Sequence, residues 1–552
     1  MKTRRFRIVG LSALVVLSLG LFSFDRNERF FEIAKNLDIF ATLFKELNTY
    51  YVDEINPNRA IKTSIDAMLK TFDPYTVYYA EDDIEDYMTM TTGKYNGIGA
   101  LVATRNGKQQ VMMVYEGTPA EKAGLKIGDE IVKIDGIDIT GNAKYNLDKL
   151  LKGQNGTTVR LAVKRYGQDK LEELNVARDV VKMNNVPYFG MINDEVGYID
   201  LKDFTSTASR EMRDAFKVLK EKGMKKLVID LRDNPGGLMQ MAIEICNMFV
   251  QKDNLIVSTK GKVTEWNKDY HALNPAMDVE MPIVVITNSR SASAAEIVAG
   301  VIQDYDRGVL LGQRSFGKGL VQITRDLSYN AKFKVTTAKY YIPSGRCIQA
   351  IDYSHRNPDG SVGKVPDSLR SAFTTKNGRT VYDGGGITPD VEVPKQPASA
   401  IANALSNKGY LFDYANKYRF EHASIKPAKE FVVTDAEYQD FVKWLADKDY
   451  TYTTQVEREL NDLEASAKKE KYFDGVKDQL SALRKSVNNS KAADLQNFKD
   501  EIKSQLEEEI IVHYYLQKGT REHSFARDPE IQASLKLFGD MPRYQSLLKG
   551  NK

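Results

Sequence analysis

Pro282-Ile-Val-Val-Ile-Thr-Asn-Ser-Arg-Ser-Ala-Ser-Ala-Ala-Glu-Ile-Val-Ala299 runs from an apolar β-branched segment, through small polar residues, into a stretch of helical composition. The spacing predicts a buried strand over Pro282–Ile286 and a helix from Ala294, with Ser293 at the turn between them. At such a turn the amide of Ala294 has no intrahelical acceptor and can face a developing oxyanion. The same alternation recurs on either side. Strand signals lie at Val196–Leu201, Leu227–Asp230, Pro282–Thr287 and Phe333–Tyr341, and helical stretches at Ser206–Lys222 and Met239–Val250, which is the pattern of an α/β layer.

Twenty-five residues beyond Ser293 stands Lys318, in Gly312-Gln-Arg-Ser-Phe-Gly-Lys-Gly-Leu-Val-Gln322. A serine hydroxyl is a weak nucleophile until a base takes its proton, and a lysine serves only if its charged form is destabilised by several pK units from about 10.4. A second oxyanion donor is offered by Asp230-Leu-Arg-Asp-Asn-Pro-Gly-Gly237, where Gly236 and Gly237 let the backbone turn toward a carbonyl.

Structural readings compete with each of these. Ser293 and Glu296 also spell a capping box, in which the serine merely satisfies a helix amide. Gly312, Gly317 and Lys318 approach a phosphate-binding loop, but Gly319 stands where that loop needs a hydroxyl. Asp230 and Asp233 lack a His or Cys cluster and read as a polar strand end rather than a metal site. None of the five histidines, His271, His355, His422, His513 and His523, sits in a recognisable motif, and G-x-S-x-G is missing. His271 is the control for a histidine-dependent mechanism.

Together these motifs resemble those of the carboxyl-terminal processing peptidases, the tail-specific proteases of the S41 serine peptidase family. The resemblance implies that Ser293 is the nucleophile, Lys318 its general base, Gln322 the residue that orients the lysine, and Asp304 a supporting residue. It covers roughly residues 40–395. Ala295 stands where the family often has serine, and Tyr75, in Asp73-Pro-Tyr-Thr-Val-Tyr-Tyr79, replaces a usual histidine. Neither change implies lost function. Thr337–Arg346 and Gly384–Asp390 match family segments near the end of the core.

A second module points the same way. Gly93-Lys-Tyr-Asn-Gly-Ile-Gly-Ala100, followed by the long run Glu116–Gly136 with its Ala-Gly-Leu-Lys-Ile-Gly-Asp core, resembles a PDZ domain. Such domains add a peptide as an extra strand and hold its terminal carboxylate on backbone amides. The resemblance places that nest at Asn96, Gly97, Ile98, Gly99 and Ala100, and the groove helix at Tyr145–Leu151.

The expected architecture is therefore α/β multidomain: residues 1–24 a signal peptide or signal anchor, 25–91 a helical part, 92–178 the PDZ domain, 179–395 the protease core, and 396–552 an α-helical C-terminal domain. A chain of 552 residues exceeds one ordinary core. A net charge of +3, without a basic stripe interleaved with aromatics, argues against nucleic acid and leaves peptide as the ligand class. No cofactor or metal is expected. Lys2, Arg4, Arg5 and Arg7 precede the seventeen uncharged residues Ile8–Phe24, which reads as export to a bacterial periplasm, with retention in the inner membrane as the alternative. Cys246 and Cys347 are expected as isolated thiols. Beyond residue 396, Phe473, Val476, Leu480 and Leu483, and then Leu495, Phe498, Ile502, Leu506 and Ile510, recur at helical spacing. These stripes read most simply as core between helices. Self-association through them, an adaptor site, or a brace for the PDZ module stay open.

The sequence thus supports a serine endopeptidase acting on polypeptides with unstructured carboxyl termini. Two alternatives remain: a catalytically dead PDZ scaffold, and a Ser-Lys esterase.

Overall fold

The computed structural model describes residues 29–141, 146–357 and 359–550. The segment read as an export signal or anchor lies outside them, as does Tyr145. Among the described residues no helix is long and apolar enough to cross a membrane. The described residues form two compact units, one made of those up to Ala80 with Arg325–Lys334, the other of those in Glu81–Thr324 and from Val335 onward.

In the first unit, residues 29–50 are helical, and Asn56 caps a second helix, Pro57–Lys70, by accepting the amide of Arg59. Asp73 then closes a turn, its Oδ1 accepting the amides of Tyr75 and Thr76 at 2.8 Å each. Strand Val77–Tyr79 follows, antiparallel to Lys332–Lys334. The Asp73–Tyr79 stretch is thus local scaffold in which Tyr75 lends its backbone.

The second unit is built around a six-stranded sheet in the order Tyr188–Met191, Val196–Asp200, Lys226–Asp230, Ile283–Thr287, Val309–Gly312, Val391–Glu392. The first pair is antiparallel and all others are parallel. Register aligns Asp200 with Asp230 and Asp230 with Ile286, so the strand ends that lead to the candidate residues lie side by side. Ligand sites of open parallel sheets form at this carboxyl edge.

A parallel sheet needs cover on both faces. Helices Ala208–Glu221, Met239–Cys246 and Ala294–Asp304 bury one face, packing on Leu227, Ile229, Ile283 and Val285. The alternate side chains Val228, Val284 and Ile286 point the other way and are covered by Ile531, Leu537, Phe538 and Tyr544 from helices Pro529–Gly539 and Met541–Leu547. Tyr544 Oη both accepts from the Ile283 amide at 2.9 Å and donates to the Ile283 carbonyl at 3.0 Å. The last helices of the chain are therefore a layer of the central α/β core itself, although their sequence reads as part of a separate helical tail.

The PDZ-like module has a sheet in the order Ala100–Arg105, Lys108–Val114, Glu130–Ile134, Thr158–Lys164, Glu172–Ala177. Strand Lys94–Gly97 pairs instead with Asp179–Lys182, forming a two-stranded neck between module and core. Helices Ala400–Asn407, Tyr410–Glu421, Asp435–Trp444 and Lys499–Ser524 form a third core, where Ile502, Leu506 and Ile510 are fully buried. Leu495 packs against this core, but Phe498 is exposed, and in the first stripe Leu480 is buried whereas Leu483 is exposed, so the spacing is borne out only in part. The same helices reach the module: Phe412 belongs to its core, and Arg105 stacks over the Phe412 ring while pairing with Asp413 at 2.9 Å. At their far end Phe525 packs on Tyr188 and Tyr198 of the central sheet, and Arg521 pairs with Asp200 at 3.0 Å. Of the roles left open for residues 396–552, bracing the module against the core is the one these contacts supply.

Candidate active site

Ser293 stands where strand Ile283–Thr287 turns into helix Ala294–Asp304. Its φ of +56° is uncommon for a residue with a side chain, and the turn is fixed from both sides. The amide of Ala292 donates to Asn234 O at 2.9 Å, and Ser291 Oγ donates to Leu231 O at 2.7 Å, tying the turn to the loop after the neighbouring strand. Strain held this way is a mark of functional turns.

Glu296, one turn into the helix, is fully buried and is the one charged residue between Ala294 and Gln303. Its carboxylate accepts four bonds: from the Ser293 amide at 2.8 Å, the Lys318 amide at 2.9 Å, the Gly317 amide at 2.7 Å and Ser315 Oγ at 2.5 Å. Both halves of the capping box are present, and the glutamate also reaches across to the lysine loop. Burial pushes the carboxyl up to about 7 in spite of these four donors. Below it, the buried Tyr340 hydroxyl donates to the carbonyls of Ser293 at 3.2 Å and Lys318 at 2.7 Å, and burial holds its phenol well above the ordinary range. Backbone groups of Ser293 and Lys318 are therefore joined twice. Both residues are half-buried.

The remaining sequence-predicted residues take distinct places. Gln322 lies on strand Leu320–Asp326 and donates through Nε2 to Thr336 Oγ1 at 3.1 Å, which leaves its carbonyl oxygen as the part able to orient an amine. Asp304 ends helix Ala294–Asp304, eleven residues from Ser293. There it pairs with the buried Arg346 at 2.7 Å and accepts the Ser344 amide at 2.9 Å, which is an architectural role. Gly236 requires a correction. Its amide donates to the buried Asn234 Oδ1 at 2.8 Å, because that asparagine folds back over its own loop, so Gly236 is not an oxyanion donor in this arrangement. Its contribution is space: a Cβ there would stand 2.7 Å from Ser293 Cβ and 2.8 Å from the Ala294 amide nitrogen. Among the described residues no acceptor takes the amides of Ala294 or Gly237.

Asp230 is fully buried and held by Arg232 and Tyr198 at 2.6 Å each, and the guanidinium keeps its carboxyl well below the usual range. It is a structural strand end. His271 Nδ1 meets the backbone oxygen of Asp253 at 3.0 Å, while His513 and His523 are buried among the C-terminal helices rather than at the surface. Cys246 and Cys347 are both free thiols. Sequence reasoning missed Ser315, Tyr340 and the bridging part of Glu296. A lone carboxylate in an otherwise apolar helix start was the available signal for the last.

In the PDZ-like module, a cavity of about 210 Å³ is lined by Gly97, Ile98, Gly99, Ala100 and Leu151 of helix Leu147–Leu151. Asn96 lies outside the cavity lining, in the neck strand opposite Val180. Ile98 O accepts the Ala120 amide and Gly99 O accepts the Tyr115 amide. A trans peptide points its N–H opposite its C=O, so the amides of Gly99 and Ala100 face away from those partners. Strand Ala100–Arg105 pairs on one side alone, with Lys108–Val114, and its other side is a sheet edge.

Comparison with known proteins matches residues 195–355 to the family model Peptidase family S41, residues 110–165 to PDZ domain, and residues 401–538 to Probable PDZ-protease, C-terminal helical domain. The carboxy-terminal-processing protease of Bartonella bacilliformis is 34% identical over 344 residues, covering 62% of this chain and 78% of that one. A probable CtpA-like serine protease of Staphylococcus aureus is 31% identical over 383 residues, 69% of this chain and 75% of that one. Among solved structures, the photosystem II D1 C-terminal processing protease is 26% identical with a TM-score of 0.35, covering 65% of this chain and 94% of that chain.

Proposed function

The chain belongs to peptidase family S41, as a carboxy-terminal-processing serine protease with a PDZ domain, and within that family we propose that Ser293 and Lys318 form its catalytic dyad. Neutral Lys318 takes the proton of Ser293 Oγ as the oxygen attacks the scissile carbonyl carbon. Negative charge then develops on the carbonyl oxygen, where the amides of Ala294 and Gly237 donate to it. The C–N bond breaks, Lys318 returns its proton to the departing amine, and an acyl ester on Ser293 remains. Water, deprotonated by the same lysine, attacks the ester and restores the serine hydroxyl. Gln322 orients the amine through its side-chain oxygen.

The observation that carries this reading is the shared carboxylate oxygen of Glu296, which accepts the amides of both Ser293 and Lys318. It ties the nucleophile loop to the base loop through their backbones. The PDZ domain captures an unstructured carboxyl terminus by strand addition at Ala100–Arg105. Export directed by residues 1–24 makes exported polypeptides the substrates.

Ser293→Ala and Lys318→Ala each abolish cleavage of an unfolded polypeptide while binding survives. Lys318→Arg fails as well, because a guanidinium stays charged. Full turnover in any of the three contradicts the dyad, and full turnover in Ser293→Ala together with loss in His271→Ala points to a histidine mechanism.

A further inference from the structure

The groove beside Gly97–Gly99 holds one cation that the backbone nest does not account for. Among the described residues lining the cavity, Lys152 is the one cation and Asp148 the one anion. Lys152 directly follows the groove helix Leu147–Leu151, and its amide closes that helix on Asp148 O. The next amide, of Gly153, reaches Asn96 O at 3.4 Å, so the helix end is tied to the strand entering the turn. A Cβ built on Gly97 would lie 3.7 Å from Lys152 Cγ, which runs the lysine stem alongside the turn. The Lys152 side chain is 27% exposed, its Nζ lies 5.9 Å from the centre of the Tyr95 ring, and it donates to Asp86 Oδ1 at 3.1 Å.

Asp86 belongs to helix Ile84–Thr92, outside the PDZ sheet, and its side chain is 74% exposed. A half-buried ammonium beside a loop of outward-facing amides is thus matched to a carboxylate that reaches in from solvent. Backbone amides already make charge-assisted bonds to a carboxylate. A positioned ammonium adds a further one that a neutral amide end cannot make.

We propose that Lys152 receives the terminal carboxylate of a captured chain, and that Asp86 is the intramolecular carboxylate this chain end displaces. The proposal rests on the reading of the PDZ domain as the capture site. It makes the free α-carboxylate, rather than the terminal side chain alone, the feature that admits a polypeptide. Internal segments and amidated ends, which lack that charge, are then discriminated against at the groove.

The test uses the full chain carrying Ser293→Ala, and a fluorescein-labelled ten-residue peptide ending in valine, prepared both as the free acid and as the amide. Anisotropy titration is expected to give an acid Kd about ten-fold below the amide Kd, the size of one charge-assisted bond. Lys152→Met, which keeps the stem, raises the acid Kd most of the way to the amide value and leaves the amide Kd unchanged. Lys152→Arg retains the preference, and Asp86→Asn lowers the acid Kd about three-fold. If the parent protein prefers the acid and Lys152→Met keeps that preference in full, the Lys152 assignment is wrong and the capture reading stands. If the parent protein binds neither peptide, or both alike, the capture reading falls and takes the assignment with it.

Discussion

Ser293 and Lys318 donate their backbone amides to the same atom, Oε2 of Glu296, at 2.8 and 2.9 Å. A single buried oxygen between two loops fixes their separation more tightly than contacts at the loop surfaces could, because moving either loop leaves an amide unpaired in the interior. Under the proposed dyad Glu296 is a positioning residue, because its carboxylate accepts the backbone amides of both Ser293 and Lys318.

Glu296→Gln separates positioning from binding. An amide side chain cannot accept on both sides, so either the Ser293 and Lys318 amides or the Gly317 amide and Ser315 hydroxyl face an NH₂ group. A shift of about 1 Å at the dyad costs about 10²-fold in rate. The expected result is kcat lowered by that order with KM for an unfolded polypeptide nearly unchanged. A change confined to KM contradicts the positioning role.

The same carboxyl predicts an unusual dependence of stability on pH. Its folded value of about 7 lies above the ordinary 4.5, so between those values the folded chain holds a proton that the unfolded chain has lost. Stability contributed here is complete below pH 4.5 and falls as pH rises toward 7, with a slope of up to about 1.4 kcal/mol per pH unit. Chemical denaturation of the protein and of Glu296→Gln at several pH values measures it: the wild-type advantage declines across the window. A difference that is flat, or that grows with pH, rules out a raised carboxyl.

Much of this arrangement is legible in the sequence, and the boundary of legibility has a physical cause. Strand, turn and helix around Ser293 follow from local side-chain chemistry, which is why the Ser293 turn and the central strands lie where their patterns place them. Glu296 reads as a capping partner because its local bond is a capping bond, and the longer reach to Gly317 and Lys318 depends on how two distant loops meet. Gly236 reads as an amide donor because glycine permits it, whereas the Asn234 side chain that takes the amide is a choice of packing. Apolar stripes in the tail announce that something is covered, and Ile531, Leu537 and Phe538 carry no sign that the surface is a β-sheet.

Gly236→Ala tests the space beside the nucleophile. The added methyl meets Ser293 Cβ and the Ala294 amide, and φ at this position is +97°, a region side chains rarely adopt. Expected are a loss of about 1–3 kcal/mol in stability and loss of cleavage, with acid-peptide binding at the PDZ domain intact. Normal cleavage by a folded Gly236→Ala protein removes that space from the site.

Truncation after Arg527 tests the role of the last helices. It strips Ile531, Leu537, Phe538 and Tyr544 from the central sheet, a loss on the order of 10 kcal/mol at about 1.5–3 kcal/mol per buried apolar side chain, comparable to the whole stability of a domain. An insoluble or molten product is expected, whereas a detachable tail would leave a folded, active core.

The dyad itself is read most directly by covalent labelling. A serine-directed fluorophosphonate, followed by peptide mass spectrometry, should place the phosphonyl group on Ser293. Lys318→Met and Lys318→Arg should slow labelling by at least about 10²-fold, the range of a lost general base. Label on another residue, or labelling of Ser293 at the wild-type rate in both lysine variants, contradicts the pairing of this hydroxyl with this amine.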